Sequence, residues 1–160
     1  SFASSHPGKR IGQVIDLHGL QQVLWPDHCV QGTQGAEFAR ALDAKKIERV
    51  FQKGTDKTID SYSGFFDNGR RKSTGLADYL RDKHVRRVTV VGLATDFCVK
   101  FTALDAAGLG FITSVPMAAT RGVELHKGDV AKAYDEMRAA GIEVAPASVL
   151  SGGRWFRQYS

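Results

Sequence analysis

Short apolar runs alternate along this chain with segments in which apolar residues recur at helical spacing. From Val88 to Val91 every residue is β-branched and uncharged, which predicts a strand buried on both faces. Gly92 ends this run. Apolar and small residues then recur between Val99 and Ala106 with the period of an α-helix, which predicts a helix that begins near Cys98 and runs to Gly108. A strand, a turn and a helix therefore follow one another here.

The same pattern predicts the other elements of the chain. In chain order these are a loop over 1–12, a small hairpin with strands near 14–15 and 23–24, a modest helix over 36–44, a short strand over 49–52, a helix that follows a cap at Thr74, a strand over 111–115, a helix over 129–140 and a last strand over 142–144. The segment 55–72 is aromatic and too long for a connector, which is typical of a functional loop. Strands that alternate with helices predict one α/β domain whose parallel sheet is covered on both faces.

Length and composition limit the classes of protein to consider. A chain of 160 residues with 42% hydrophobic residues is the size of one domain and can bury a core. It has no apolar run as long as a membrane span and no secretory signal, so we expect no membrane partner. The net charge of +5 comes with basic clusters at 70–72 and 86–87 that are interspersed with acids. These clusters lack an aromatic-basic motif, so a solvated surface is favoured over a nucleic-acid groove.

Two cysteines occur, Cys29 and Cys98, without the spacing of a CxxC pair or a zinc knuckle, which favours a reducing, cytoplasmic setting. Cys98 is the candidate nucleophile, because the amide donors and the dipole at a helix start favour the thiolate. The alternative is a small buried core cysteine, and position alone leaves both interpretations open.

Two further side chains are candidates for a site. Lys53 follows a predicted strand, and ligand sites in parallel sheets lie beyond the carboxyl ends of the strands. A lysine near a cysteine can hold a thiolate by its charge, although a lysine at a strand end usually faces water. His28 lies in an exposed-looking loop with Trp25 and Cys29. Its alternative role is a ring that only bonds the backbone.

Four segments, taken in chain order, resemble the nicotinamidases (pyrazinamidases), amidohydrolases of the isochorismatase-like superfamily. They are WPDHCVQ at 25–31, Lys53-Gly54 followed by DSYSGF at 60–65, DNGRR at 67–71 and GLATDFCVKFTALDA at 92–106. The resemblance runs from Ser1 to about Val149. It implies a three-layer α/β/α fold with a mostly parallel sheet, formed by residues 1–150, and leaves a tail at 151–160 without a family match.

The resemblance also implies an activity and a catalytic set. Members of this family hydrolyse nicotinamide to nicotinate and ammonia, and also act on pyrazinamide, which places them in NAD salvage. Cys98 corresponds to the nucleophile that forms a thioester, and Lys53 to the lysine that holds anionic groups in place. The backbone amides of Ala94 and Cys98 correspond to the oxyanion hole, with a cis peptide at Leu93–Ala94.

The implied binding site uses aromatic walls and a metal. Trp25, Tyr62, Leu93 and Phe97 correspond to residues that bind the flat substrate ring, which suits flat aromatic side chains. His28 corresponds to a ligand of a divalent metal that grips the pyridine nitrogen. Zinc is the first expectation for this metal, and iron or manganese are alternatives.

The sequence also departs from the family pattern. In the family a strand that would precede Ser1 supplies the aspartate that takes the thiol proton, and a second strand and loop supply further metal ligands. His6 does not lie where those ligands lie, and the run 118–123 lacks the family's acid and cysteine. We therefore expect an incomplete nicotinamidase with its first strands missing and weak activity alone. Asp96 is expected to bond the backbone and not to replace the aspartate.

Two other functions stay open at this stage. The first is a catalytically inactive binding or scaffold relative that keeps the pocket and covers its sheet edges in a homo-oligomer. The second is another hydrolase of the superfamily that acts on a carbamoyl amide. His28 and Trp25 favour a pyridine ring over that substrate. In each case the expected partner is a small molecule and not a nucleic acid.

Overall fold

A parallel sheet forms the centre of the computed structural model, which describes residues 1–146. Its three strands lie in the order β3-β5-β7. They are β3 (Arg87–Thr89), β5 (Ile112–Pro116) and β7 (Glu143–Ala145). Val88 pairs with Thr113 and Val115 with Val144, so each strand runs parallel to its neighbour. The Val90 N–H extends the β3 ladder by donating to the Ser114 carbonyl at 2.9 Å.

Within residues 1–146 three α-helices accompany the sheet: α1 (Leu76–Asp82), α2 (Lys100–Gly108) and α3 (Asp129–Ala139). The main core joins α2 and α3 to the sheet through Val90, Val99, Ala103, Val115, Tyr134, Met137 and Ile142. A second cluster joins α1, the loop before it, α2 and the residue before β5 through Phe65, Ala77, Ala106 and Phe111. The helix α1 begins after Gly75 and not after the predicted cap, although Thr74 Oγ1 accepts the Leu76 N–H at 3.2 Å.

Two small sheets complete the described part. The predicted hairpin is confirmed as β1 (Val14–Leu17) and β2 (Leu20–Val23), which pair antiparallel. Its turn residues His18 and Gly19 both have positive φ, as a two-residue hairpin turn requires. The other pair is parallel and consists of β4 (Gly92–Leu93) and β6 (Thr120–Arg121).

Most sequence predictions of elements are confirmed within two residues, including the last two strands and the helix that ends before Gly141. The loop over 55–72 is also confirmed, because it holds no helix or strand. The helix predicted near Cys98 starts in a different form. A π-helical turn spans Thr95–Val99, and α2 follows it. Cys98 therefore lies inside a widened turn, a feature that is frequent at functional sites.

The predicted helix over 36–44 is wrong, because only single 3-10 turns occur there, at Gln34–Ala36 and Ala44–Lys46. Phe38 and Leu42 are about half exposed, so no apolar face packs on the core, and a short helix is marginal without such packing.

The predicted strand over 49–52 is also wrong, since no strand pairs with it in residues 1–146. The segment is held instead by the guanidinium of Arg49, which lies 5.4 Å from the ring centres of both Phe51 and Tyr79, and by the Glu48–Lys83 ion pair.

The predicted burial on both faces of the first strand is wrong, because only one face is covered. Val90 is buried and Val88 is partly buried, whereas Thr89 and Val91, which alternate with them and lie on the opposite face, are exposed. The predicted boundary near 150 and the tail at 151–160 lie outside the described residues. Within 1–146 no helix combines the length and the apolar character that crossing a membrane requires.

Candidate active site

Lys53 and Cys98 meet although 45 positions separate them in the sequence. Lys53 lies in the extended segment before the long loop, and its Nζ is 3.4 Å from Cys98 Sγ. The same Nζ donates to the Ser61 carbonyl at 2.6 Å, so a backbone oxygen fixes the ammonium beside the sulfur. An ammonium next to a cysteine favours the thiolate, which is the nucleophilic form. The sequence predicted both residues, and the fold brings them together.

The turn that carries Cys98 has an unusual backbone. The peptide between Leu93 and Ala94 is cis, which confirms the prediction from the resemblance. The Ala94 carbonyl accepts the N–H groups of Phe97 at 3.1 Å and Val99 at 3.0 Å. These bonds close the turn around the cysteine and fix its position relative to the strand before it.

Asp96 turns away from the sulfur and binds the loop after β6. Its Oδ1 accepts the Val123 N–H at 3.0 Å and its Oδ2 accepts the Glu124 N–H at 2.7 Å. The side chain is buried, and both oxygens are used. This geometry confirms the expectation that Asp96 bonds the backbone.

The loop approaches Asp96 closely because residue 122 is glycine. A Cβ at Gly122 would lie 2.1 Å from Val130 Cγ2 and 3.2 Å from Asp96 Oδ1. Glycine therefore allows the backbone at residue 122 to pack closely against α3 and the π-helical turn at Thr95–Val99.

Three aromatic side chains pack on one another near Cys98. The Phe97 ring lies 4.7 Å from Trp25 and 5.4 Å from Tyr62 between ring centres, in edge-to-face arrangements. The Trp25 indole N–H donates to the Tyr62 hydroxyl at 3.0 Å. Their contacts join the three rings into one aromatic wall.

Tyr62 keeps its phenol proton at neutral pH. Burial raises the pKa of its hydroxyl above the ordinary value, and the charge of Cys98 raises it further, while the Trp25 N–H acts in the opposite direction. The hydroxyl donates to Asp60 Oδ2 at 3.3 Å. Tyr62 thus links the aromatic wall to the loop that holds Lys53.

A cavity of about 210 Å³ lies directly against Lys53 and Cys98. Its lining consists of Lys53, Val90, Val91, Leu93, Cys98, Val99 and Thr102. Leu93 is 72% exposed and forms part of this lining, whereas the three aromatic residues do not. The pair therefore faces a mainly apolar space on the side of β3 and β4.

His28 is exposed and stands at the edge of the aromatic wall. Its Nδ1 is 2.7 Å from the Pro26 carbonyl, and its ring centre is 6.5 Å from that of Trp25. This bond leaves Nε2 as the nitrogen that could bind a metal. Within residues 1–146, no three His, Cys, Asp or Glu side chains come together as a metal-binding group. The described residues therefore do not form a complete ligand set.

Two groups that contact the site segments were not predicted from the sequence. One is the Ser61 carbonyl, which a sequence cannot reveal because any residue has a carbonyl. The other is Gln22, a fully buried polar side chain on β2 that bonds the backbone of the long loop. Gln22 alternates with Leu20 and Leu24, so the sequence places it on the same face of a strand as two apolar residues. A polar residue on such a face is an informative signal.

Comparison with known proteins places this arrangement in a family. The family model described as "Isochorismatase domain" matches residues 13–148. The chain belongs to the isochorismatase family. A nicotinamidase from Escherichia coli is 50% identical over 141 residues, which are 88% of this chain and 66% of that protein. The chain thus spans about two thirds of the length of this curated relative.

Solved structures share the fold. A nicotinamidase/pyrazinamidase from Acinetobacter baumanii has a TM-score of 0.88 at 42% identity and covers 94% of this chain and 72% of its own. The yeast nicotinamidase bound to the inhibitor nicotinaldehyde has a TM-score of 0.82 at 30% identity, with 91% and 73% covered. A pyrazinamidase from Pyrococcus horikoshii in complex with zinc has a TM-score of 0.66 at 37% identity, with 76% and 63% covered. The three-layer α/β/α fold predicted from the resemblance is confirmed.

Proposed function

We propose that this protein is an amidohydrolase that converts nicotinamide to nicotinate and ammonia and serves NAD salvage. The contact between Lys53 Nζ and Cys98 Sγ at 3.4 Å carries this proposal, because it places a thiolate-stabilising charge on the candidate nucleophile. The family membership and the 50% identity to a nicotinamidase support the choice of substrate. Pyrazinamide, which has the same carboxamide on a similar ring, is the expected second substrate.

The proposed chemistry proceeds in two steps. In the first, the Cys98 thiolate attacks the carboxamide carbon, the C–N bond breaks, and the leaving NH₂ group takes one proton from solvent and departs as ammonia as the thioester forms. In the second, water attacks the thioester carbon and the C–S bond breaks. The two protons of that water pass to solvent, and nicotinate and the Cys98 thiolate are the products. The Lys53 ammonium stabilises the thiolate between turnovers. The N–H groups of Ala94 and Cys98 are the proposed oxyanion donors, and one such donor contributes about 10²–10³ in rate.

The substrate would occupy the space beside this pair. Leu93 lines the cavity, and Trp25, Tyr62 and Phe97 supply the adjacent aromatic wall. An aromatic amide gains contact with such a wall by edge and face packing. A catalytically inactive relative or a hydrolase of carbamoyl amides would use the same cavity, and the experiment below distinguishes these alternatives.

We also propose a divalent metal site, to which the described residues contribute one ligand, His28. The zinc complex of the Pyrococcus horikoshii protein supports zinc, and His28 would offer its Nε2. Because residues 1–146 do not assemble the other ligands, neither step of the proposed hydrolysis depends on a metal.

The protein is further proposed to act on a small molecule in the cytoplasm, where its free thiols Cys29 and Cys98 stay reduced. A homo-oligomer is the proposed means of covering the exposed sheet edge.

Ammonia release from nicotinamide tests the proposed activity. We expect Cys98→Ser to abolish release and Cys29→Ser, the matched control, to leave it unchanged. Parallel assays with pyrazinamide and an N-carbamoyl amine identify the substrate class. Release that persists in Cys98→Ser would refute the mechanism. Calorimetric binding of nicotinamide without any release would indicate the catalytically inactive relative.

A further inference from the structure

We propose that Gln22 is a positioning residue that holds Lys53 against Cys98 through the loop over 58–61. This inference rests on the proposed function, because that function assigns Lys53 and Cys98 as the catalytic pair. Gln22 belongs to neither the pair nor the aromatic wall, and it acts only through the backbone of the loop.

Gln22 makes its bonds inside the protein. The side chain is 1% exposed and projects from β2 towards the long loop. Its Oε1 accepts the Asp60 N–H at 2.6 Å, and its Nε2 donates to the carbonyls of Thr58 at 3.2 Å and Leu17 at 3.4 Å. One amide therefore satisfies backbone groups on both the hairpin and the long loop. Buried backbone groups are costly when they lose a partner, so these bonds define the position of the loop.

The loop passes this position on to the catalytic lysine. Ser61 follows directly after the Asp60 that Gln22 binds, and its carbonyl accepts from Lys53 Nζ at 2.6 Å. Asn68 fixes the same stretch from the other side, since its N–H donates to the Asp60 carbonyl at 2.9 Å and its Oδ1 accepts the Tyr62 N–H at 3.0 Å. A shift of residues 60–61 would move the acceptor that orients the ammonium.

Lys53 depends on this acceptor because its own surroundings are open. Its side chain is exposed, and the structure gives its Nζ the Ser61 carbonyl and Cys98 Sγ as hydrogen-bond partners. A long flexible side chain in water has many rotamers, and a fixed carbonyl selects one of them. Gln22 thus contributes to the reactivity of a sulfur with which it has no contact.

The rate of Cys98 alkylation by iodoacetamide at pH 7 tests this role without requiring turnover. Gln22→Met keeps the length of the side chain and removes both hydrogen-bonding groups. We expect it to slow alkylation of Cys98 by roughly three- to tenfold, as Lys53→Met does, because the thiolate loses its neighbouring charge in both. Gln21→Met is the matched control, since Gln21 is the exposed neighbour on the same strand and should leave the rate unchanged.

The double variant Gln22→Met/Lys53→Met decides whether the two residues act as one unit. If Gln22 acts through Lys53, the double variant alkylates no more slowly than Lys53→Met alone. Gln22→Asn, which keeps the amide but is one methylene shorter, gives the same test if Gln22→Met does not fold. The role of Gln22 is refuted if the two substitutions slow alkylation of Cys98 independently, so that their factors multiply. It is also refuted if a folded Gln22 variant is alkylated at the wild-type rate. Neither result bears on the proposed function. A wild-type rate in Lys53→Met instead overturns the catalytic pair on which the proposed function depends.

Discussion

At the scale of single residues, the two cysteines differ in charge environment and in exposure. Cys98 is half buried with Lys53 Nζ at 3.4 Å, whereas Cys29 is exposed in a loop. We expect limited alkylation of the native protein at neutral pH to label Cys98 before Cys29, because the neighbouring ammonium outweighs the difference in access. Peptide mapping by mass spectrometry measures the order. Preferential labelling of Cys29 would refute the assignment of the nucleophile.

Asp96 provides a second prediction at this scale. In Asp96→Asn an NH₂ group replaces one of two oxygens that each accept a backbone N–H from the loop at 123–124. One buried N–H then faces a donor, so we expect a loss of about 1–3 kcal/mol in the free energy of unfolding, measured by urea denaturation. Asp135→Asn is the control. Its carboxylate is exposed, and the expected change is within about 0.5 kcal/mol. Equal effects in both variants would contradict this role.

At the scale of elements, the loop after β6 packs between α3 and the π-helical turn at Thr95–Val99. Gly122→Ala places a methyl group 2.1 Å from Val130 Cγ2 of α3, which forces one of the two segments to move. We expect a loss of about 1–3 kcal/mol from overpacking, measured by thermal and urea unfolding.

The matched control for this change is Gly108→Ala. A Cβ at Gly108 meets nothing within 4 Å, so this variant should be neutral or slightly stabilising. Val130→Ala combined with Gly122→Ala should recover part of the lost stability by removing the methyl groups that clash. A Gly122→Ala protein as stable as the wild type would show that α3 can shift freely.

At the scale of the whole molecule, metal binding depends on ligands from distant segments. His28 is the proposed ligand, and no group of three His, Cys, Asp or Glu side chains that could hold a metal forms within residues 1–146. A catalytic transition metal commonly has about three protein ligands, so we expect less than one metal equivalent per chain after dialysis. Elemental analysis of the purified chain, with His28→Ala as the comparison, measures this stoichiometry. A full, tightly held equivalent would reveal a ligand set that the described residues do not form.

The rate of hydrolysis is also a property of the whole molecule. Asp96 uses both oxygens on backbone N–H groups and is therefore not placed to take the thiol proton. A positioned general base contributes about 10²–10⁴ in rate, so folded Asp96→Asn should release ammonia from nicotinamide within about tenfold of the parent chain's rate. Assays of ammonia release from the two chains, with folding checked by circular dichroism, measure this. A loss of about 10² or more in folded Asp96→Asn would show that Asp96 accepts the proton.

Features that depend on local pattern follow from the amino-acid sequence alone. The strands after α2 and α3, the helix that ends before Gly141 and the hairpin turn at His18-Gly19 follow from periodicity and from residues that tolerate positive φ. The resemblance in four ordered segments predicted Cys98 and Lys53 as site residues, because their neighbours form a pattern along the chain.

Tertiary structure decided the features that depend on contacts between distant segments. The segments 36–44 and 49–52 have helical and strand patterns, yet neither forms its element, since one lacks a core to pack on and the other lacks a strand partner within the described residues. The distance between Lys53 and Cys98, the Ser61 carbonyl that fixes it and the bonds of Gln22 arise only when the chain folds. Hydrogen bonds to backbone groups leave no pattern in a single sequence, because every residue offers the same carbonyl and, proline excepted, the same N–H.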